Sequence, residues 1–158
     1  MLQVPEKIFN ADLKSVDLGL SDILIFEKDE IEKEQIGYRY TGLPGEGEPI
    51  EDWIGEDYVV IGLDSCCGDP IIAKVDEDEL PIYFMHHDDW SSLQLIATSF
   101  EQFINLLKKL DKTNLANKEE CEHTFEIIKR ESPNISLDYW ESLISSGYEF
   151  LTGNDYYT

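Results

Sequence analysis

Tyr58-Val-Val-Ile-Gly-Leu-Asp-Ser-Cys-Cys-Gly-Asp-Pro-Ile-Ile-Ala-Lys-Val75 is the stretch on which the fold turns. Tyr58 to Leu63 is continuously apolar, the pattern of a central strand covered on both faces. Pro70 to Val75 alternates instead, with Ile71, Ala73 and Val75 on one side and Lys74 on the other. Gly68-Asp69-Pro70 joins the two with turn chemistry. Gly permits positive φ, the Asp side chain caps its own turn, and Pro opens the next strand where a missing ladder donor costs least. Pro81 to His86 repeats the strand pattern, with Ile82 and Phe84 on one face and Tyr83 and Met85 on the other. Leu93 to Ala97 predicts a short closing strand.

Upstream, Asp22 to Phe26 and Gln35 to Tyr40 have the length and the β-branched or aromatic content of strands. The charged run Glu27 to Glu34 between them reads as a helical turn or a hairpin loop. Pro5 to about Asp12 predicts a short helix opened by proline. Gly42 to Pro49, rich in Gly and Pro, predicts a mobile loop. Downstream the period changes from 2 to 3.6. Thr98-Ser-Phe-Glu101 and Ser99 to Gln102 are capping boxes before the stripe Phe100, Phe103, Ile104, Leu107 and Leu110. Asn117 opens a second helix that buries Cys121, Phe125 and Ile128 and stops before Ser132-Pro133. Ser136 opens a third with Leu137, Trp140, Leu143 and Ile144 aligned and Gly147 as its stop, and the last five residues are expected to fray. Strands followed by helices predict a single α+β domain over 1–158: a mostly antiparallel sheet of five to six strands, helices on one side, and two extra C-terminal helices over 112–150.

Charge narrows the function. The 158 residues include 34 acids and 12 Lys or Arg, a net charge of −22, which leaves little material for a phosphate-neutralising face or for attraction to anionic membranes. Nucleic acid and membrane are therefore excluded as partners, and a basic protein partner is favoured. The 42% apolar content with 7 Phe, 8 Tyr and 3 Trp suffices for a packed core and argues against disorder. The N-terminus lacks the apolar core of a signal peptide, and no apolar run approaches the roughly 20 residues that a spanning helix requires. Three cysteines, two of them adjacent (Cys66 and Cys67), cannot form a disulfide framework and have no zinc spacing. Free buried thiols in a reducing cytoplasm are expected.

The candidate chemistry is sparse. Asp64 and Asp69, at the two ends of a tight connection, are expected side by side at a sheet end, where they could face a partner or a cation. No nucleophile, base or second motif supports them as a catalytic pair. His86 and His87, as neighbours on a strand, are expected on opposite faces and unable to grip one ion, and no His pair has the i, i+4 spacing of helical metal sites. Nucleophile elbows and phosphate loops are absent. The expectation is no enzyme, no catalytic residue, no metal and no cofactor.

The order of these elements carries a resemblance. Tyr58-Val-Val-Ile-Gly62, then Cys67-Gly-Asp-Pro-Ile-Ile72, Leu80-Pro-Ile-Tyr83, His86, Trp90 and Ile96-Ala-Thr-Ser-Phe-Glu-Gln-Phe103 together resemble the SUKH superfamily over about residues 20–110. That superfamily groups a yeast cell-wall-synthesis regulator with many bacterial toxin-immunity proteins. The resemblance implies an α+β fold, no catalysis, and neutralisation of a toxin, often a nuclease, by direct binding. The matched positions are Gly62, Asp64, Gly68, Asp69 and Pro70 in the connection, with Trp90. The contact is expected along the acidic stretch, at Asp76, Glu77, Asp78, Glu79, His87, Asp88, Asp89 and Trp90, because an aromatic anchor beside carboxylates is the kind of site that supplies hot spots. The alternatives are a regulatory or scaffold module without a toxin, and a small metal-dependent enzyme using Asp64, Asp69, His86 and Asp88. Oligomeric state is open.

Overall fold

Turn residues at the strand ends build the sheet as hairpins, except where the long segment 26–57 joins β2 to β3. A computed structural model describes residues 2–43 and 45–158; Met1, and Pro44 in the Gly/Pro-rich loop, lie outside them. The strands are β1 (Ser15–Asp17), β2 (Asp22–Ile25), β3 (Tyr58–Asp64), β4 (Asp69–Lys74), β5 (Ile82–His86) and β6 (Asp89–Ala97). They pair antiparallel in sequence order as one six-stranded meander. Three helices follow: α1 (Phe100–Asp111), α2 (Lys118–Glu131) and α3 (Leu137–Thr152). The α+β class, the sheet and the helices match the expectation.

The pleat sorts the apolar residues as the alternation predicts. Val59, Ile61, Ile71, Ala73, Ile82 and Phe84 face the helices and join their stripes in the main core. Val60, Ile72 and Met85 face the other way, into a smaller cluster with Phe26, Trp53 and Trp90. The covering layer on that second face is the irregular segment between β2 and β3.

This segment holds the main departure from the sequence reading. Gln35 to Tyr40 is not a strand. Lys33–Gln35 is a short 3-10 turn, and Gly37, with φ +88°, breaks the extended backbone that the alternating Ile36, Tyr38 and Tyr40 suggest. Gln35 instead uses its buried carboxamide as a ladder rung. Its Nε2 donates to the Val60 carbonyl at 2.8 Å and the Ile31 carbonyl at 2.8 Å, and its Oε1 accepts the Val60 N–H at 3.0 Å. These bonds satisfy β3 where β2 leaves it. Here β3 bulges between Val60 and Gly62. A Cβ on Gly62 would lie 2.1 Å from the Leu24 carbonyl oxygen, so glycine alone lets β2 approach.

Smaller corrections have similar causes. Ser15-Val-Asp17, with a single apolar residue, is a strand that periodicity does not detect. The predicted N-terminal helix is only the 3-10 turn Glu6–Ile8. The closing strand begins at Asp89, so only His87 and Asp88 form the β5–β6 turn. Gly147 does not stop α3. A Cβ there would meet the Leu18 carbonyl oxygen at 2.7 Å, so this glycine lets the helix lie against the β1–β2 turn. Gly153, at φ +70°, is the true stop. The tail beyond it is held, since Tyr156 is buried and its N–H donates to Glu149 Oε1 at 3.1 Å.

Two helix caps form as predicted: Ser99 Oγ accepts from the Gln102 N–H at 3.0 Å and Asn117 Oδ1 from the Glu120 N–H at 3.1 Å. Ser136 holds the N-cap position of α3 but makes no side-chain cap, because its hydroxyl donates to Gln94 Oε1 at 2.6 Å on β6. Trp140, fully buried on α3, ties helix to sheet by donating from Nε1 to the Ile96 carbonyl at 2.9 Å.

Replacing Gln35 by Leu keeps the volume but strands the Val60 N–H and C=O inside the protein. Denaturant unfolding should show a loss of about 2–4 kcal/mol, with the fold retained.

Candidate functional site

Antiparallel register decides which side chains meet at each end of the sheet. Asp17 opposes Asp22, Asp64 opposes Asp69, and His86 opposes Asp89. One end of the sheet therefore carries a row of strand-terminal aspartates, with Asp88 in the adjoining turn. The other end carries four lysines, all occupied: Lys14 with Glu27, Lys28 with Glu6, Lys74 with Asp76 and Glu77, and Lys7 with the Asp78 carbonyl. Among the described residues no Lys or Arg forms an ion pair with any aspartate of the row.

Behind this row the sheet end and α3 enclose a cleft of about 390 Å³. Its polar wall is Asp64, Asp69, His86 and Asp138, and its floor includes Phe84, Tyr139 and Leu143; no Lys or Arg lines it. Leu20 is on the rim, and Gly19 brings this corner against Phe150 and Leu151 near the end of α3. Leu20 and Phe150 are exposed at 47% and 59%, an apolar shoulder beside the carboxylates.

The two facing aspartates avoid full repulsion by having different partners. Burial pushes the Asp64 carboxyl up, against hydrogen bonds from the Cys66 N–H at 2.9 Å and the Ser21 hydroxyl. Burial acts on Asp69 in the same direction, but the His87 N–H at 2.9 Å, the His87 ring at 2.8 Å and the His86 ring together outweigh it and hold the carboxyl below its ordinary value. His87 Nδ1 reaches Asp69 Oδ1, and His86 Nδ1 lies 3.5 Å from Oδ2. The two histidines thus converge on one carboxylate. The expectation that they point apart fails because His87 lies in the turn, beyond the strand's alternation.

The acidic stretch 76–89 is split by β5. Asp76, Glu77, Asp78 and Glu79 form an exposed loop at the lysine end, whereas His87, Asp88, Asp89 and Trp90 lie at the aspartate end. Asp76 and Glu77 are paired with Lys74, whereas Asp78 and Glu79 are held only through their backbone carbonyls, by Lys7 and by the Phe100 N–H that begins α1. Trp90 is half-buried and packs edge-on against Trp53, with centroids 5.6 Å apart. One continuous face through all eight residues is therefore not what the topology builds.

Of the matched connection, Asp64 and Asp69 enter the cleft as expected. Gly62 serves the bulge, Gly68 (φ +74°) turns the hairpin, and Pro70 is buried in β4. Cys66 and Cys67 also line the cleft, exposed at the tip of the turn rather than buried; only Cys121 is buried, which pushes its thiol up to about 11. Asp64, Asp69 and His86 share the cleft without Asp88, and among the described residues no group of three or more His, Cys, Asp or Glu is arranged to hold a metal ion. Sequence reading misses Asp17, Asp22, Asp138 and Tyr139, although aspartates beside turn residues at predicted strand ends are a usable signal for the first two. No helix among the described residues is long and apolar enough to cross a membrane. In comparisons with known proteins, no family model, curated protein or solved structure matches the chain.

The hydrogen bond to Asp69 raises the His87 pKa above its ordinary 6.5. Its contribution to stability is full below 6.5 and is lost as pH rises through the raised value; the Asp69 contribution is full above 3.8 and is lost as pH falls through its depressed value. The pair therefore stabilises most between 3.8 and 6.5. NMR titration should place His87 above the ordinary histidine value, and Asp69→Asn should return it there; an unchanged midpoint in that variant would refute the pairing.

Proposed function

We propose that this protein is a non-catalytic cytoplasmic binding protein that neutralises a basic toxin of the nuclease type by covering it, as the SUKH resemblance implies. The observation that carries the reading is the segregation of charge along the strands. Aspartates without Lys or Arg partners occupy one end of the sheet, around a cleft with an apolar floor and beside exposed Leu20 and Phe150. Unneutralised charge speeds encounter with a cationic surface, and desolvated apolar contacts at the centre of an interface slow dissociation. Asp64 opposite Asp69 fits the same reading, since like charges directly across a ladder destabilise a hairpin. A partner that brings positive charge recovers that energy.

The test is co-expression with a toxin encoded beside this gene. Growth should be rescued, and rescue should fail for the double variant Asp64→Asn/Asp138→Asn and for Phe150→Asp. Neutralising Asp76, Glu77, Asp78 and Glu79 together should leave rescue intact. If no toxin gene adjoins this one, the regulatory-module reading replaces the toxin reading. If the loop variant alone loses rescue, the interface is at the opposite end of the sheet. Asp64→Asn should also raise the stability of the free protein by about 0.5 kcal/mol, measured by urea unfolding.

A further inference from the structure

We infer that the cleft between the aspartate end of the sheet and α3 is a socket for an arginine side chain of the partner. This rests on the binding function proposed above and adds which chemical group enters. The wall supplies acceptors: the carboxylates of Asp64, Asp69 and Asp138. A second and independent feature lies in the floor. Tyr139 is only 6% exposed, its ring packs against Phe84 at 4.7 Å and edge-on to Trp140 at 5.1 Å, and its hydroxyl has no hydrogen-bond partner. Buried hydroxyls in folded proteins are nearly always satisfied. This one lies within the electrostatic reach of Asp64 and Asp69, and burial keeps it protonated. Its oxygen is closed off from solvent in the free protein and leaves its acceptor capacity unused beside the carboxylates.

Guanidinium fits this surrounding better than ammonium. It presents five N–H donors in a rigid plane, enough for two carboxylates and a phenol oxygen at once, and the Ser21, Gln94 and Ser142 side chains that share the lining can also accept from it. It is also more weakly hydrated, which lowers the cost of entering a cleft with an apolar floor, whereas ammonium holds its water more tightly. The histidines do not fill this role, because both rings turn to Asp69 from the β5–β6 side.

The experiment uses the full chain with three peptides flanked by glycines: tri-arginine, tri-lysine and tri-citrulline. Binding is measured by calorimetry at about 0.15 M salt and slightly alkaline pH. The arginine peptide should bind about tenfold more tightly than the lysine peptide, and the citrulline peptide should not bind. Asp64→Asn and Asp69→Asn should each weaken the arginine peptide by about tenfold. Tyr139→Phe should weaken it by about threefold while raising the Tm of the free protein by about 2–4 °C, because it removes an unsatisfied buried hydroxyl. A purely structural tyrosine would give the opposite sign of Tm change. Equal affinity for lysine and arginine, or affinity unaffected by all three substitutions, overturns the socket and leaves general binding through the acidic end in place. Failure of every cationic peptide to bind the unaltered protein overturns both.

Discussion

The structure depends on burying both faces of its central strands. Val59, Val60 and Ile61 of β3 and Ile71, Ile72 and Ala73 of β4 are all fully inaccessible. No single layer of helices can achieve that for a sheet, so α1 and α3 cover one face and the segment between β2 and β3 must cover the other. That segment has no regular structure with which to satisfy the strand it covers. The Gln35 carboxamide resolves the difficulty by donating and accepting in the plane of the ladder. Tyr38 and Trp53 hold the rest of the layer, through a hydroxyl to the Gly68 carbonyl and an indole N–H to the Tyr58 carbonyl.

How far the sequence discloses this follows from which interactions are periodic. The pleat assignments of Ile71, Ala73, Ile82, Phe84, Tyr83 and Met85, the helix caps at Ser99 and Asn117, and the buried stripe of α3 are read directly, because each repeats at the period of its element. The failures involve single contacts between distant parts of the chain. Gln35 mimics part of a strand with its side chain, Gly147 accommodates Leu18 instead of ending a helix, and Tyr156 folds back onto α3. No local pattern encodes these. The candidate site divides in the same way. The facing of Asp64 and Asp69 follows from one short hairpin, but Asp138 and Tyr139 join them only through the packing of α3, and the apparent unity of residues 76–89 dissolves once β5 is seen to carry the chain across the sheet.

The placement of charge is as informative as its amount. A protein with 34 acids could scatter its 12 basic residues evenly. Lys7, Lys14, Lys28 and Lys74 lie near one end of the strands and are engaged there, Lys108, Lys109 and Lys129 pair from the helices, and among the described residues none pairs with the aspartate row. A lysine beside Asp64 and Asp69 would stabilise the hairpin; those carboxylates instead rely on histidines and backbone N–H groups.

This lopsidedness along the strand axis gives the molecule a handle by which a field can rotate it. A uniformly negative body near a cationic surface is drawn in but arrives in any orientation. A body whose carboxylates are unpaired at one pole and partly neutralised by lysines at the other also feels a torque within the last Debye length, about 8 Å at physiological salt. The sheet would then tumble into alignment before contact, presenting the cleft first, and far fewer collisions would be wasted on the lysine-bearing pole.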